Sequence, residues 1–162
     1  MNPTLRNMTS LFFVGEEGLL CLYRVGSKVA NHKYVGAAGG HFEESELRSP
    51  EACVLREAKE ELGLDPEEIL DLNLRYITVR YVDGEIRQNY YFFAGLAGEK
   101  KLVSTEGQLH FFTWDQLKTV DMPLSARQMM DHYLEVGRFD TKRYAGVTEP
   151  GGARFVELRS FA

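Results

Sequence analysis

The chain has 162 residues, of which 44% are hydrophobic and 27% charged, and its formal net charge at pH 7 is -5. This composition predicts one globular domain, residues 1–162, and excludes a long nucleic acid as a partner, because no overall positive field would hold a polyanion. No segment approaches the roughly 18 consecutive apolar residues of a membrane span, and the N-terminus has no signal pattern, so we expect a cytoplasmic protein without a membrane partner.

The first predicted elements are two short strands. Apolar runs at 11–14 and 19–23 flank the turn residues 15–18, which predicts a hairpin. From Arg24 to Gly40 the chain is rich in glycine and is predicted as loop, interrupted only by a short strand-like piece near Tyr34 and Val35. Because loops carry many binding and catalytic residues, this segment is a candidate part of a functional site.

A helix with a defined start and end follows. Ser49 suits the N-cap, Pro50 the first helical position, and Gly63 the residue that ends the helix. Apolar residues at helical spacing predict one buried stripe, formed by Ala52, Leu55, Ala58 and Leu62.

The middle of the chain predicts three more strands. Two β-rich segments, 72–82 and 86–96, flank Asp83 and Gly84, a pair of residues that strongly indicates a hairpin turn. Residues 110–114 predict a further strand.

The last elements are an amphipathic helix at 123–136, which Gly137 ends, and a hairpin at 147–158. Strands and helices therefore alternate in one unit of the α/β or α+β class. Residues 137–162 form a C-terminal extension. Two roles for it stay open from the sequence: it covers a neighbouring subunit in a homodimer, or it closes the base pocket.

Three glutamates share one face of the first predicted helix. At 100° per residue, Glu57 and Glu61 lie about 40° apart, and Glu60 lies about 60° to the other side. Like charges at this spacing destabilise a helix by about 0.2–0.5 kcal/mol per pair, and a divalent cation would remove that cost. Carboxylate oxygens are ligands that Mg²⁺ prefers. Two interpretations stay open from the residues alone, a magnesium site and a solvated acidic face.

The segment that contains these glutamates resembles the Nudix box, whose pattern is G-x5-E-x7-R-E-U-x-E-E-x-G-U, with U a bulky aliphatic residue. Residues 56–64 match the second half almost completely, and Gly40 and Glu46 match the first half at the correct mutual spacing. Two departures stand out. Nine residues rather than seven separate Glu46 from Arg56, and Ala38 replaces the proline that commonly precedes the two glycines.

The resemblance implies a role for each matching residue. Glu57 would act as a catalytic base and Arg56 would orient it. The implied structural positions of the box are Gly40, Glu46 and Gly63. The implied metal ligands are the carbonyl of Gly39 and the carboxylates of Glu57, Glu60 and Glu61.

Two further site residues are predicted outside the box. In a related antimutator pyrophosphohydrolase an acid precedes a tryptophan strand in a Glu-Gly-Gln sequence, and Glu106 occupies that position here, before Trp114. Glu106 is therefore a candidate fourth acid, both catalytic and metal-binding, although an exposed turn glutamate is the alternative. Arg24, at the end of the second strand, is the candidate contact to substrate phosphate, ahead of Lys28 and Lys33.

The fold that the resemblance implies is the Nudix α/β/α sandwich around a mixed sheet, with the C-terminal helix and hairpin extension added. The implied activity is that of a hydrolase, dependent on Mg²⁺ with Mn²⁺ as a substitute, that converts a nucleoside triphosphate such as 8-oxo-dGTP to the monophosphate and pyrophosphate. Two alternatives remain: hydrolysis of ADP-ribose or another nucleoside diphosphate derivative, and a non-catalytic module that binds a nucleotide. The expected partner in each case is a small nucleotide.

Overall fold

The computed structural model describes residues 2–26 and 31–160, and one mixed sheet dominates that part of the chain. Its nine strands are β1 Thr4–Val14, β2 Gly18–Arg24, β3 Lys33–Gly36, β4 Ala38–His41, β5 Ile69–Val82, β6 Glu85–Leu96, β7 Gly107–Thr113, β8 Tyr144–Glu149 and β9 Gly152–Glu157. The α-helices are α1 Pro50–Leu62 and α2 Leu124–Glu135. Among these described residues no helix is long and apolar enough to span a membrane.

The centre of the sheet is the long strand β1. The strand order is β3-β2-β1-β6-β5-β8-β9, with β4 also paired to β1 and β7 to β2. The β1/β6 and β5/β8 pairs are parallel, and the remaining pairs are antiparallel. Along one edge β1 changes partner, because Phe13 pairs with Leu20 of β2 whereas residues 8–11 pair with β4. This exchange places β4, the strand that precedes α1 in the chain, beside the central strand of the sheet.

The prediction of loop at Gly39 and Gly40 is wrong, because both residues lie on β4. Gly39 pairs with Ser10 and Gly40 with Thr9 of β1. A Cβ atom on Gly39 would lie 2.1 Å from the carbonyl oxygen of Thr9, and the φ angle of Gly39 is +150°. These glycines therefore permit close approach of two backbones rather than a turn, a role that composition alone does not distinguish from loop.

The predicted boundaries of α1 are confirmed. The Ser49 hydroxyl accepts a hydrogen bond from the backbone N–H of Ala52 at 3.1 Å, and Gly63 ends the helix in the left-handed conformation, with φ +69°. The predicted stripe is only partly correct: Ala58 and Leu62 are buried, whereas Ala52 is exposed. The buried face is rotated because the helix packs through the residues Cys53, Val54, Ala58, Glu61 and Leu62.

The N-cap allows a simple test of this description. We expect Ser49→Ala to lower the free energy of unfolding by about 1 kcal/mol, because the N–H of Ala52 would lose its side-chain acceptor. Urea denaturation measures the change, and Ser45→Ala, at an exposed position before the helix, is the matched control. Equal stability of the two variants would contradict the cap assignment.

The two helices cover opposite faces of the sheet, which confirms the predicted α/β/α sandwich in a mixed α and β fold. One core lies under α1 and includes Val54, Ala58, Leu62, Leu11, Ile77 and Phe92. The second lies under α2 and includes Met129, Met130, Tyr133, Phe12, Tyr76 and Phe93. Because successive residues of a strand alternate between faces, neighbours such as Leu11 and Phe12 supply both cores.

The C-terminal hairpin continues the main sheet. Strand β8 pairs in parallel with β5, where Tyr144 is the partner of Tyr76 and their rings stack at 5.4 Å. Beneath the start of α2, the hydroxyls of Ser125 and Thr148 are 2.6 Å apart, and both residues are buried. The extension is thus packed against its own chain, and it supports the helix end that borders the cavity described below.

Candidate functional site

Arg56 on α1 connects the carboxylates of the box. Its Nε and Nη2 atoms donate to the two carboxylate oxygens of Glu46 at 2.7 and 3.0 Å. Nη1 donates to Glu57 at 2.9 Å and to Glu60 at 3.1 Å, and Nη2 also donates to the carbonyl oxygen of His41 at 3.0 Å. One guanidinium therefore fixes the position of three acidic side chains and the end of β4.

The two extra residues between Glu46 and Arg56 do not break this ion pair. They fit in the exposed turn at Leu47 and Arg48, after which the backbone N–H of Ser49 donates to the carbonyl oxygen of Glu46 at 2.8 Å. The Glu46 side chain accepts from the backbone N–H of Glu43 at 2.8 Å. Glu46 is only 6% exposed, yet the hydrogen bonds from Arg56 keep the pKa of its carboxyl below the ordinary value despite the opposing effect of burial. Glu46 thus holds Arg56 as a buried, charged support, as the resemblance implied for a structural position.

Glu57 lies directly against the glycines of β4. A Cβ atom on Gly40 would lie 2.5 Å from Oε1 of Glu57, so a larger residue would displace the carboxylate. Arg56 contacts the same oxygen. The Glu57 carboxylate is therefore held between the Arg56 guanidinium and the backbone of Gly40, and this close approach requires a glycine.

Glu61 is a buried acid in a negative environment. It is 7% exposed, and burial is the main cause that raises its pKa to about 8. A hydrogen bond with Glu57 and the negative charges of Glu57 and Glu106 raise the pKa further, while a hydrogen bond from the backbone of Gly39 opposes the shift. A bound cation would relieve this accumulation of negative charge, so the chemistry of these donors suits a cation.

Glu106 is held beside this cluster, where the sequence predicted a fourth acid. The backbone N–H of Thr105 donates to the carbonyl oxygen of Glu61 at 3.1 Å and ties the segment to the end of α1. Arg24 lies 3.7 Å from the Glu106 carboxylate. Arg24 and Glu106 are thus neighbours in the site, which supports both as candidates without fixing their roles.

The four predicted metal-binding carboxylates do not meet at one point. Within residues 2–26 and 31–160, no group of three or more His, Cys, Asp or Glu side chains is arranged to hold a metal ion. Glu60 is the outlier, because its side chain is 57% exposed and accepts from Arg56. Uncompensated carboxylates repel one another, so this spread is expected of the side chains by themselves. The metal-ligand assignment stays a prediction.

A cavity of about 250 Å³ opens beside Glu61, between the sheet and the start of α2. Near the carboxylates it is lined by Arg24 and Lys33, and Lys33 also forms an ion pair with Asp121 at 2.9 Å. Lys28, the other lysine considered as a phosphate contact, lies outside the described residues. Cationic side chains and the buried acid Glu61 therefore line the same cavity, a combination that suits an anionic substrate bound together with a cation.

The sequence reasoning missed three polar residues of this cavity, Arg80, Arg87 and Asn89. A pattern in the sequence could have revealed two of them. Arg87 and Asn89 occupy the same alternating positions of β6 as the buried Tyr91 and Phe93, so they point to the same face of the sheet. Polar residues that continue a buried face are candidates for a binding site.

Comparisons with known proteins agree with this architecture. The family model described as NUDIX domain matches residues 4–133. No curated protein matches the sequence. A MutT protein from Bacillus halodurans is similar in structure, with a TM-score of 0.67, 20% identity, and coverage of 93% of this chain and 97% of the other.

Two further solved structures show the same fold. A MutT protein from Methanosarcina mazei Go1 has a TM-score of 0.68 and 15% identity, with 86% of this chain and 99% of the other covered. An Ap4A hydrolase from C. elegans has a TM-score of 0.61 and 13% identity, with 83% and 98% covered. At these identities the similarity concerns the fold.

Proposed function

The chain belongs to the Nudix family of pyrophosphate-bond hydrolases, and we propose that it hydrolyses a nucleoside triphosphate, such as 8-oxo-dGTP, to the monophosphate and pyrophosphate in a Mg²⁺-dependent reaction. The observation that carries the proposal is the cluster of Glu57, Glu61 and Glu106, of which Glu61 lines a cavity that cationic side chains line as well. Two of the similar structures are MutT proteins, which is consistent with a triphosphate substrate.

The residues that would hold the metal are Gly39, through its carbonyl, and Glu57, Glu61 and Glu106, with Glu60 as the further predicted ligand. Mg²⁺, or Mn²⁺ in its place, supplies neutralisation of phosphate charge and a bound water of lowered pKa. The buried position of Glu61 and the raised pKa of its carboxyl fit this assignment, because a cation favours the charged form of all three acids.

The protein's own side chains would bind the substrate and move the proton. Arg24 and Lys33 would contact phosphate oxygens, since both line the cavity beside the carboxylates. Glu57, oriented by Arg56 and confined by Gly40, would accept the proton of the attacking water. Arg56 itself is a positioning residue, because its donors are occupied by Glu46, Glu57, Glu60 and His41.

A second candidate is the hydrolysis of a nucleoside diphosphate derivative such as ADP-ribose or a dinucleotide. The observation that favours it is that Arg80 and Arg87 line the same cavity as Gly39 and Glu61. A C. elegans relative in fold is an Ap4A hydrolase. The non-catalytic alternative is less well supported, since all three box glutamates are present.

The test is product release from a panel of nucleoside triphosphates, 8-oxo-dGTP, ADP-ribose and dinucleotides, each with Mg²⁺, with Mn²⁺ and with EDTA. We expect turnover of one substrate class with either metal and none with EDTA. Products identified by chromatography distinguish pyrophosphate release from other cleavage positions. Nucleotide binding without metal-dependent turnover of any compound would contradict the proposal and favour a binding module.

A further inference from the structure

Three arginines form a row across neighbouring strands, and two of them, Arg80 and Arg87, line the cavity. Arg6 of β1 is the direct partner of Arg87 of β6, and Arg87 is the direct partner of Arg80 of β5. Residues that are directly paired on neighbouring strands point to the same face of a sheet, and like charges in such pairs destabilise it. We call these three residues the arginine row. Its charges oppose folding and therefore require a compensating partner.

The protein compensates the arginine row only in part. Glu85 lies 3.0 Å from Arg87 and 3.5 Å from Arg6, so one carboxylate serves two guanidinium groups. Arg6 also donates to Nε2 of His41 at 3.0 Å. Within residues 2–26 and 31–160, the guanidinium of Arg80 has no ion-pair or hydrogen-bond partner. Positive charge is therefore left over at this end of the cavity.

The position of the row connects it to the acidic cluster. Arg80 and Arg87 line the same cavity as Gly39 and Glu61. On β1, Arg6 pairs with Arg87 and Ser10 pairs with Gly39. These two positions are four residues apart, which corresponds to about 13 Å along the strand. If the diphosphate of a substrate lies at the glutamates, the part of the substrate that is remote from the scissile bond would thus reach the arginine row.

The amide of Asn89 and the start of α2 add to the favourable environment for an anion. Asn89 follows Arg87 on the same face of β6 and lines the cavity. Residues 123–126, the N-cap and first turn of α2, line the same cavity, and the N-terminal end of a helix carries partial positive charge. A negatively charged group therefore fits this end of the cavity better than a neutral nucleotide base does.

We propose that the arginine row binds a second phosphate group of the substrate, a phosphate monoester on the ribose, remote from the diphosphate that is cleaved. The planar donors of two neighbouring guanidinium groups match the oxygens of a phosphate, and its charge would offset their repulsion. This inference rests on the second candidate under the proposed function, the hydrolysis of a nucleoside diphosphate derivative. It specifies the substrate class: a derivative whose ribose carries a further phosphate at the 2′ or 3′ position.

The first experiment uses substrates that differ by this one phosphate: ADP-ribose and its 2′-phosphate, NADH and NADPH, and dephospho-coenzyme A and coenzyme A. We expect a ratio of kcat/KM, phosphorylated over unphosphorylated, of about ten to a hundred in at least one pair. Arg80→Gln should bring this ratio close to one. Arg154→Gln, an exposed arginine on β9, is the control that should keep it. A ratio that is near one in the wild type, or unchanged in Arg80→Gln, overturns the inference.

A binding experiment separates this inference from the proposed hydrolysis. Calorimetry in EDTA compares AMP with adenosine 2′,5′-bisphosphate and adenosine 3′,5′-bisphosphate, so the result does not depend on turnover. Tighter binding of a bisphosphate, lost in Arg80→Gln, supports the arginine row even if no compound is hydrolysed. Equal binding of AMP and both bisphosphates overturns the inference even if hydrolysis is found. A changed preference between AMP and GMP, without a phosphate effect, assigns the row to base recognition and also overturns it.

Thermal stability distinguishes a ligand-binding arginine from a structural one. Without ligand, we expect Arg80→Gln to raise Tm by about 1–3 °C, because a repulsive cross-strand pair is removed. The favoured bisphosphate should raise the Tm of the wild type more than that of the variant. A lower Tm for the unliganded variant would show that Arg80 supports the fold and would contradict the inference.

Discussion

Glu61→Gln is expected to lower kcat at least about a hundredfold while leaving the fold intact. The substitution keeps the size of the side chain and an oxygen that can accept from the backbone of Gly39, but the amide cannot ionise and so cannot supply the negative charge of a metal-bound carboxylate. Steady-state kinetics at saturating Mg²⁺ measures the loss, and circular dichroism verifies the fold. Glu51→Gln, an exposed glutamate at the other end of α1, is the matched control and should retain activity. Full turnover by Glu61→Gln would exclude the proposed site.

The same variant should alter how stability depends on pH in the metal-free protein. Burial and neighbouring carboxylates raise the pKa of Glu61 from 4.5 to about 8 in the folded state. Between these values the folded protein binds more protons than the unfolded chain, so the wild type should lose stability as pH rises from about 5 to 8. Glu61→Gln should show a smaller loss over this range. Urea denaturation in EDTA at several pH values measures both slopes, and parallel slopes would contradict the description of Glu61 as a buried, protonated acid.

Arg56→Gln is expected to reduce both stability and activity. Glu46 would remain buried without its guanidinium, and breaking such a pair costs about 3 kcal/mol. Glu57 would lose the donor that fixes its carboxylate, which should lower kcat by about ten- to a hundredfold. Urea denaturation and steady-state kinetics measure the two effects. Arg48→Gln, an exposed arginine before α1, is the control.

A double-mutant cycle tests whether Glu46 and Arg56 act as one unit. Glu46→Gln and Arg56→Gln should each be destabilising, because each leaves the other residue's charge without its partner. The double variant removes both charges, so its loss of stability should be smaller than the sum of the two single losses. Additive losses would mean that the two residues contribute independently. In that case the contact across the two-residue insertion would have no structural importance.

Much of the site could be predicted because it lies within one helix. The capping residue Ser49, the terminal Gly63 and the face shared by Glu57 and Glu61 follow from rules that act over a few residues. The hairpin turn at Asp83 and Gly84 follows from rules of the same kind. The Nudix box added the family, and the match over residues 4–133 confirms that assignment.

Other features depended on contacts between distant segments. The sequence placed Gly39 in a loop, whereas pairing with β1 makes it part of a strand. Glu60 satisfied the helical spacing, yet its contact with Arg56 holds it at the exposed rim of the site. Helical spacing fixes the direction of a side chain from the axis, but the charges around it determine where its carboxylate lies.

The sequence by itself determined the start and end of α1, its acidic face and the family, because turns, caps and helical periodicity are encoded by neighbouring residues. Only the tertiary structure decided that Arg24 lies beside Glu106 and that Arg6, Arg87 and Arg80 form one row. The partner and register of a strand depend on residues far apart in the chain, and a shift by one residue would turn these side chains to the other face of the sheet.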